Sequence, residues 1–143
     1  MPGTLRIVFA AILVLTLPAS AAEPRRILDV DKFCEEVLQK ISNQARQEAA
    51  DLVADSIGKP ESSSVLTNAM QIFEGKNFDF TKKVVDKGYN GALRQIVYYS
   101  YVQNLGFIYF RFNFKMSSSG WILANFTFKD ETMELFPKDF IDR

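Results

Sequence analysis

Between Phe107 and Lys115 apolar and polar residues alternate without a break. Ile108, Phe110, Phe112 and Phe114 fall on one side, and Tyr109, Arg111, Asn113 and Lys115 on the other. A two-residue period is what a half-buried strand requires, because successive side chains point to opposite faces of a sheet. A second aromatic run, Trp121 to Lys129, follows, and Met116-Ser117-Ser118-Ser119-Gly120 reads as a five-residue hairpin connection. Folded about Ser118, this hairpin sets Phe114 opposite Ile122, Phe112 opposite Ala124, Phe110 opposite Phe126 and Ile108 opposite Phe128. A slip of one residue would turn one strand's apolar set to the wrong face, so register and core are read together. Tyr109, Arg111, Asn113, Trp121 and Asn125 are then expected on the opposite, exposed face.

Upstream the period changes to three and four. Phe33, Val37, Ile41, Ala45, Ala49, Leu52 or Val53, and Ile57 form one apolar stripe, read as a single helix started by Asp29 or Asp31. Gly58-Lys59-Pro60 ends it, since Gly accepts a left-handed cap and Pro cannot continue a helix. A second helix is expected from a Ser near Glu61–Ser64 to Gly75, using Val65, Leu66, Ala69, Ile72 and Phe73. Phe78, Phe80 and Val84 suggest a strand, Gly88-Tyr89-Asn90-Gly91 a turn, Ala92 to Val102 a strand, and Gln103 to Gly106 the next break. Met133, Leu135, Phe136, Phe140 and Ile141 around Pro137 read as a short helical turn or a strap on the sheet edge.

The first 22 residues have the pattern of a secretory leader. Arg6 precedes an apolar run, Ile7 to Leu17; Pro18 breaks it, and Ala19-Ser20-Ala21-Ala22 offers cleavage after Ala21 or Ala22. The run is too short for a membrane span of about 20 residues, so no transmembrane segment is expected in the mature chain. One domain, residues 23–143, is expected in the periplasm or outside the cell. Arg6 is the leader's only charge, which leaves 16 Lys and Arg against 17 Asp and Glu. That balance argues against nucleic acid as a partner.

Histidine is absent, and Cys34 is the only cysteine. Ser-His-Asp and Cys-His catalysis, His-ligated zinc and thiolate metal clusters are therefore excluded, as is an intrachain disulfide. No cofactor is expected. Cys34 reads as a buried helix residue, with an intermolecular disulfide as the alternative. No acid lies between Asp86 and Asp130, so the central strands offer no carboxylate base. Asn125-Phe126-Thr127 matches an N-glycosylation sequon, but a mid-strand position makes it a chance match.

Gly75-Lys76, the turn Gly88 to Gly91, Leu93-Arg94-Gln95, Phe112-Asn113-Phe114-Lys115, Trp121-Ile122-Leu123 and Phe126-Thr127-Phe128-Lys129-Asp130 form a longer pattern. In this block of about 60 residues the chain resembles small exported bacterial proteins of uncharacterised function with an NTF2-like, cystatin-like α+β fold. Lys129 departs from that pattern, which would carry an acid beside Asp130. The resemblance implies an α+β roll, two N-terminal helices packed on one face of a four-stranded antiparallel meander. Members of such folds include enzymes, binders and dimerisation modules, so it implies no activity.

These readings converge on a non-enzymatic exported domain that binds an envelope protein partner, or itself as a homodimer. Tyr109, Arg111, Asn113, Trp121 and Asn125 would carry the contact, since Tyr, Trp and Arg dominate interface energetics. The competing expectation is a pocket between helix and sheet for a small apolar ligand, near Tyr98, Tyr99, Tyr101 or Tyr109.

Overall fold

The computed structural model describes residues 23–130; the expected leader and the tail 131–143 lie outside the described residues. The fold is α+β, as the resemblance implies. Three helices, α1 (Val30–Ser42), α2 (Arg46–Ile57) and α3 (Ser63–Ala69), precede four strands. The strands β1 (Phe78–Tyr89), β2 (Leu93–Val102), β3 (Gly106–Ser117) and β4 (Gly120–Lys129) pair antiparallel in the order β1-β2-β3-β4. Short 3-10 turns, Pro60–Ser62 and Met70–Phe73, flank α3 and replace the ends of the longer helix expected there.

The single stripe from Phe33 to Ile57 is two helices, which corrects the expectation of one. Gln44 sits at φ 66°, a left-handed conformation that no helix continues through. Its side-chain amide donates to the carbonyls of Phe73 (3.1 Å) and Lys76 (3.3 Å), and its oxygen accepts from the Gly75 N–H (3.0 Å). Leaving the helix thus satisfies the turn that leads into β1. Asp29 caps α1 by accepting from the Lys32 N–H at 3.0 Å, and Gly58, at φ 80°, closes α2.

The helices cover one face of the sheet. Phe33 meets Phe112 and Phe114 edge-on at 6.4 and 6.0 Å, while Phe73 packs among Phe78, Phe110 and Phe128. Phe110, Phe112, Val37 and Ile41 are sealed from solvent. Each such aromatic contributes roughly 1.5–3 kcal/mol by burial. Cys34 is buried in the same layer, where desolvation pushes its thiol well above the usual range. The space between α1 and the centre of the sheet is filled by side chains.

The last hairpin differs from the expected register. Ser117 pairs with Gly120 across a two-residue turn, Ser118-Ser119, and Phe114 pairs with Leu123 rather than Ile122. An irregularity between Asn113 and Phe114 then shifts β4, so Phe112 faces Phe126 and Phe110 faces Phe128. Leu123 takes the core position that Ile122 and Ala124 were expected to share, and the bulge returns Phe126 and Phe128 to the core side. A bulge places two residues opposite one, which preserves both apolar sets despite their odd spacing. β1 carries two more such irregularities, between Phe78 and Phe80 and between Lys83 and Val85.

Candidate functional site

The sheet face away from the helices follows from the pairing. Val97 pairs with Arg111 and Val85, Tyr99 with Tyr109 and Lys82, and Tyr101 with Phe107 and Phe80. Four of the five expected site residues, Tyr109, Arg111, Asn113 and Asn125, lie on this face. Side-chain hydrogen bonds, two across neighbouring strands and one along β4, hold Asn113, Arg111 and Asn125. Gln95 donates to Asn113 at 3.0 Å, Arg111 to Thr127 at 3.4 Å, and Thr127 to Asn125 at 3.1 Å. Such pairs stabilise a sheet and fix side-chain direction.

Trp121 does not join them. The two-residue turn gives it the parity of the core side, where it packs against the apolar cluster. Its backbone exchanges two hydrogen bonds with Ile27, at 2.8 and 3.1 Å, so the N-terminal segment extends the sheet beyond β4. Gly120 permits that approach. Its φ is 133°, and a Cβ there would stand 3.3 Å from the Ile27 carbonyl oxygen.

In place of Trp121 the structure brings forward an aromatic group that the sequence pattern hides. Phe80 stands 5.5 Å from Tyr99 and 6.3 Å from Phe107, and Phe107 stands 5.2 Å from Tyr101. Phe80 is 45% exposed, Tyr101 38% and Phe107 48%, at one end of the helix-free face, the one that no described helix covers. Phe78 and Phe80 look like one apolar pair in sequence, but the irregularity at Asp79 turns Phe78 to the core and Phe80 outward. A run of Phe-x-Phe beside a charged residue contains no signal for that bulge.

The strongest charge cluster lies elsewhere, where α1 meets β1 and β2. Asp31 bonds to Lys83 and, at 3.1 Å, to Arg94; Asp86 receives Arg94 through two nitrogens at 2.9 and 2.8 Å and Lys83 at 3.3 Å. The Lys83 ammonium holds the Asp31 carboxyl below the usual carboxylate range, and the Arg94 guanidinium does the same for Asp86. Carboxylates so compensated are poor proton acceptors at neutral pH, and their effect is to seat α1 on the sheet edge.

A groove of about 380 Å³ lies between α1 and the β1–β2 edge, lined by Glu35, Leu38, Gln39, Ser42, Thr81 and Tyr98. The Tyr98 hydroxyl is buried without a hydrogen-bond partner among the described residues, and burial pushes the phenol's pKa up. Among the described residues no three His, Cys, Asp or Glu side chains converge on a metal-sized site. No described helix is long and apolar enough to cross a membrane.

No protein-family model matches the chain, and no curated protein matches it in sequence. Solved structures resemble it in the path of the backbone. One, with NTF2 in its name, is 10% identical over 71% of this chain and 100% of its own, with a TM-score of 0.44. Another, Aln2 from a Streptomyces species, is 12% identical over 74% of this chain and 90% of its own, with a TM-score of 0.45. At this distance neither carries information about chemistry.

Proposed function

We propose that the protein is an exported, non-enzymatic domain that binds a protein partner or a second copy of itself through the helix-free sheet face. The observation that supports this most directly is the exposed aromatic group Phe80, Tyr101 and Phe107, backed by Tyr99. Clustered aromatics left in water on a sheet surface are the usual anchors of a protein contact. Tyr109, Arg111, Asn113 and Asn125 continue the surface with fixed polar groups that give such a contact its orientation. The leader-like N-terminus and the lack of histidine favour export and argue against acid–base catalysis.

Sedimentation equilibrium and envelope cross-linking test the reading together. A wild-type dimer, or one reproducible cross-linked partner, should be lost in the double variant Phe80→Asp, Phe107→Asp. A wild type that stays monomeric at high concentration and captures no partner would reject the proposal. N-terminal sequencing of the exported protein should begin at Ala22 or Glu23.

The groove beside Tyr98 favours a second reading, a small ligand that satisfies the buried hydroxyl. Because the helix–sheet interior is filled, such a ligand would enter at the β1–β2 edge. Screened compounds that raise the melting temperature of wild type but not of Tyr98→Phe would support it.

A further inference from the structure

One end of the sheet gathers apolar side chains left in water. Leu28 is 89% exposed, Leu93 52% and Met116 46%. Strand pairing brings them into one row. Leu93 pairs with Lys115, the Met116 N–H donates to the Ala92 carbonyl, and Met116 pairs with Trp121, which bridges to Ile27. Leu28 follows, close enough that a Cβ on Gly120 would stand 3.7 Å from its Cδ2. Single exposed apolar side chains are ordinary, but three in a row along one rim mark a contact surface.

Cations surround the row. Arg25, Arg26 and Lys32 line a groove of about 340 Å³ beside Leu28. Lys115 is exposed next to Leu93, and Lys87 lies over the exposed Tyr89 ring at 5.1 Å. Arg26 Nε donates to the Ser119 hydroxyl at 2.7 Å, which ties the N-terminal segment to the last turn. Among the described residues none of these five cations forms an ion pair. The carboxylate lining the groove, Asp29, already accepts from the Lys32 N–H, and Asp31 and Asp86 hold Lys83 and Arg94. The whole chain is balanced in charge, so this end is basic while the molecule is not.

We infer that this end docks on the surface of a bilayer that contains anionic phospholipids. Headgroup phosphates meet the five cations, and Leu28, Leu93 and Met116 enter the boundary between headgroups and acyl chains. A soluble anion could use the groove but would leave the apolar row in water, which favours the bilayer. Phe80, Tyr101 and Phe107 lie at the other end of the sheet, eight residues along β2 from Leu93, or about 26 Å. A docked protein thus holds its aromatic group away from the lipid, free for a partner. That last consequence rests on the proposed function, while the docking itself does not.

Vesicle co-sedimentation of the exported protein tests it. Binding is expected to vesicles of equal parts phosphatidylglycerol and phosphatidylcholine, and not to phosphatidylcholine alone. It should be lost at about 1 M salt, where the Debye length falls to about 3 Å. The variant Arg25→Gln, Arg26→Gln, Lys32→Gln should bind about a hundredfold more weakly, roughly fivefold for each cation removed. Leu28→Ser should also weaken binding and leave the melting temperature unchanged, because that side chain already stands in water. No binding, or equal binding to the two kinds of vesicle, would overturn the inference, as would a triple variant that binds like wild type. So would chemical-shift changes at Arg26 on adding inorganic phosphate without any vesicle binding, which would assign the groove to a soluble anion. None of these outcomes depends on whether the aromatic end binds a partner.

Discussion

Gln44 and Gly75 are 31 residues apart in the chain and joined by a 3.0 Å hydrogen bond from the Gly75 N–H to the Gln44 side-chain oxygen. The same amide donates to Phe73 and Lys76, so one side chain fixes the break between α1 and α2 to the turn that starts β1. This clamp sets how the helical layer meets the sheet.

Replacing Gln44 by Ala removes all three bonds and keeps the left-handed backbone. At about 0.5–1.5 kcal/mol for each net hydrogen bond in partly exposed surroundings, a loss of about 2 kcal/mol is expected. Gln44→Gly loses the same bonds but removes the Cβ strain at φ 66°, worth about 1 kcal/mol. Urea unfolding should therefore rank wild type above Gln44→Gly and Gln44→Ala lowest. If Gln44→Ala matched wild type, the clamp would be idle.

The Asp31–Lys83–Asp86–Arg94 cluster predicts the acid limb of the stability curve. Both carboxyls are held below the usual range in the folded state, so near and below about pH 4 the unfolded chain binds more protons than the folded one. Their contribution is present above that pH and is lost as the pH falls through the depressed folded values. Arg94→Ala should lower stability by about 1 kcal/mol at pH 6, a modest amount because the pairs are partly open to solvent. The variant should also lose less than wild type between pH 6 and 3. Parallel curves of urea midpoint against pH would refute the assignment.

Gly120 links the last turn to the N-terminal segment. Gly120→Ala places a Cβ 3.3 Å from the Ile27 carbonyl and strains a backbone at φ 133°. A destabilisation of about 1–3 kcal/mol is expected, with a red shift of Trp121 fluorescence as the Ile27 bridge loosens. An unshifted spectrum together with an unchanged melting temperature would contradict this.

The strand alternation of Ile108 to Phe114 was legible because burial on one face forces a period of two, and the helical stripe because burial forces a period near 3.6. A cap at Asp29 or Asp31 and Gly58 as a stop were legible for the same local reasons, and the structure chose Asp29. The break at Gln44 was not, because its cause is a bond to residues near Gly75. Two of the bulges govern the candidate surface. The one in β4, with the short Ser118-Ser119 turn, removed Trp121 from it, and the one in β1 added Phe80.

The amino-acid sequence by itself determined the element types, the α+β class and the identity of most core residues. Composition alone also argued against histidine-dependent catalysis and thiolate metal clusters. Tertiary structure decided which residues share the helix-free face. A bulge costs little locally, and its position is chosen by the fit of the whole core, of Phe78 against Phe73 and Phe126 against Phe112. One such shift reverses the facing of the residues beyond it, and so moves Phe80 to the surface and Trp121 away from it.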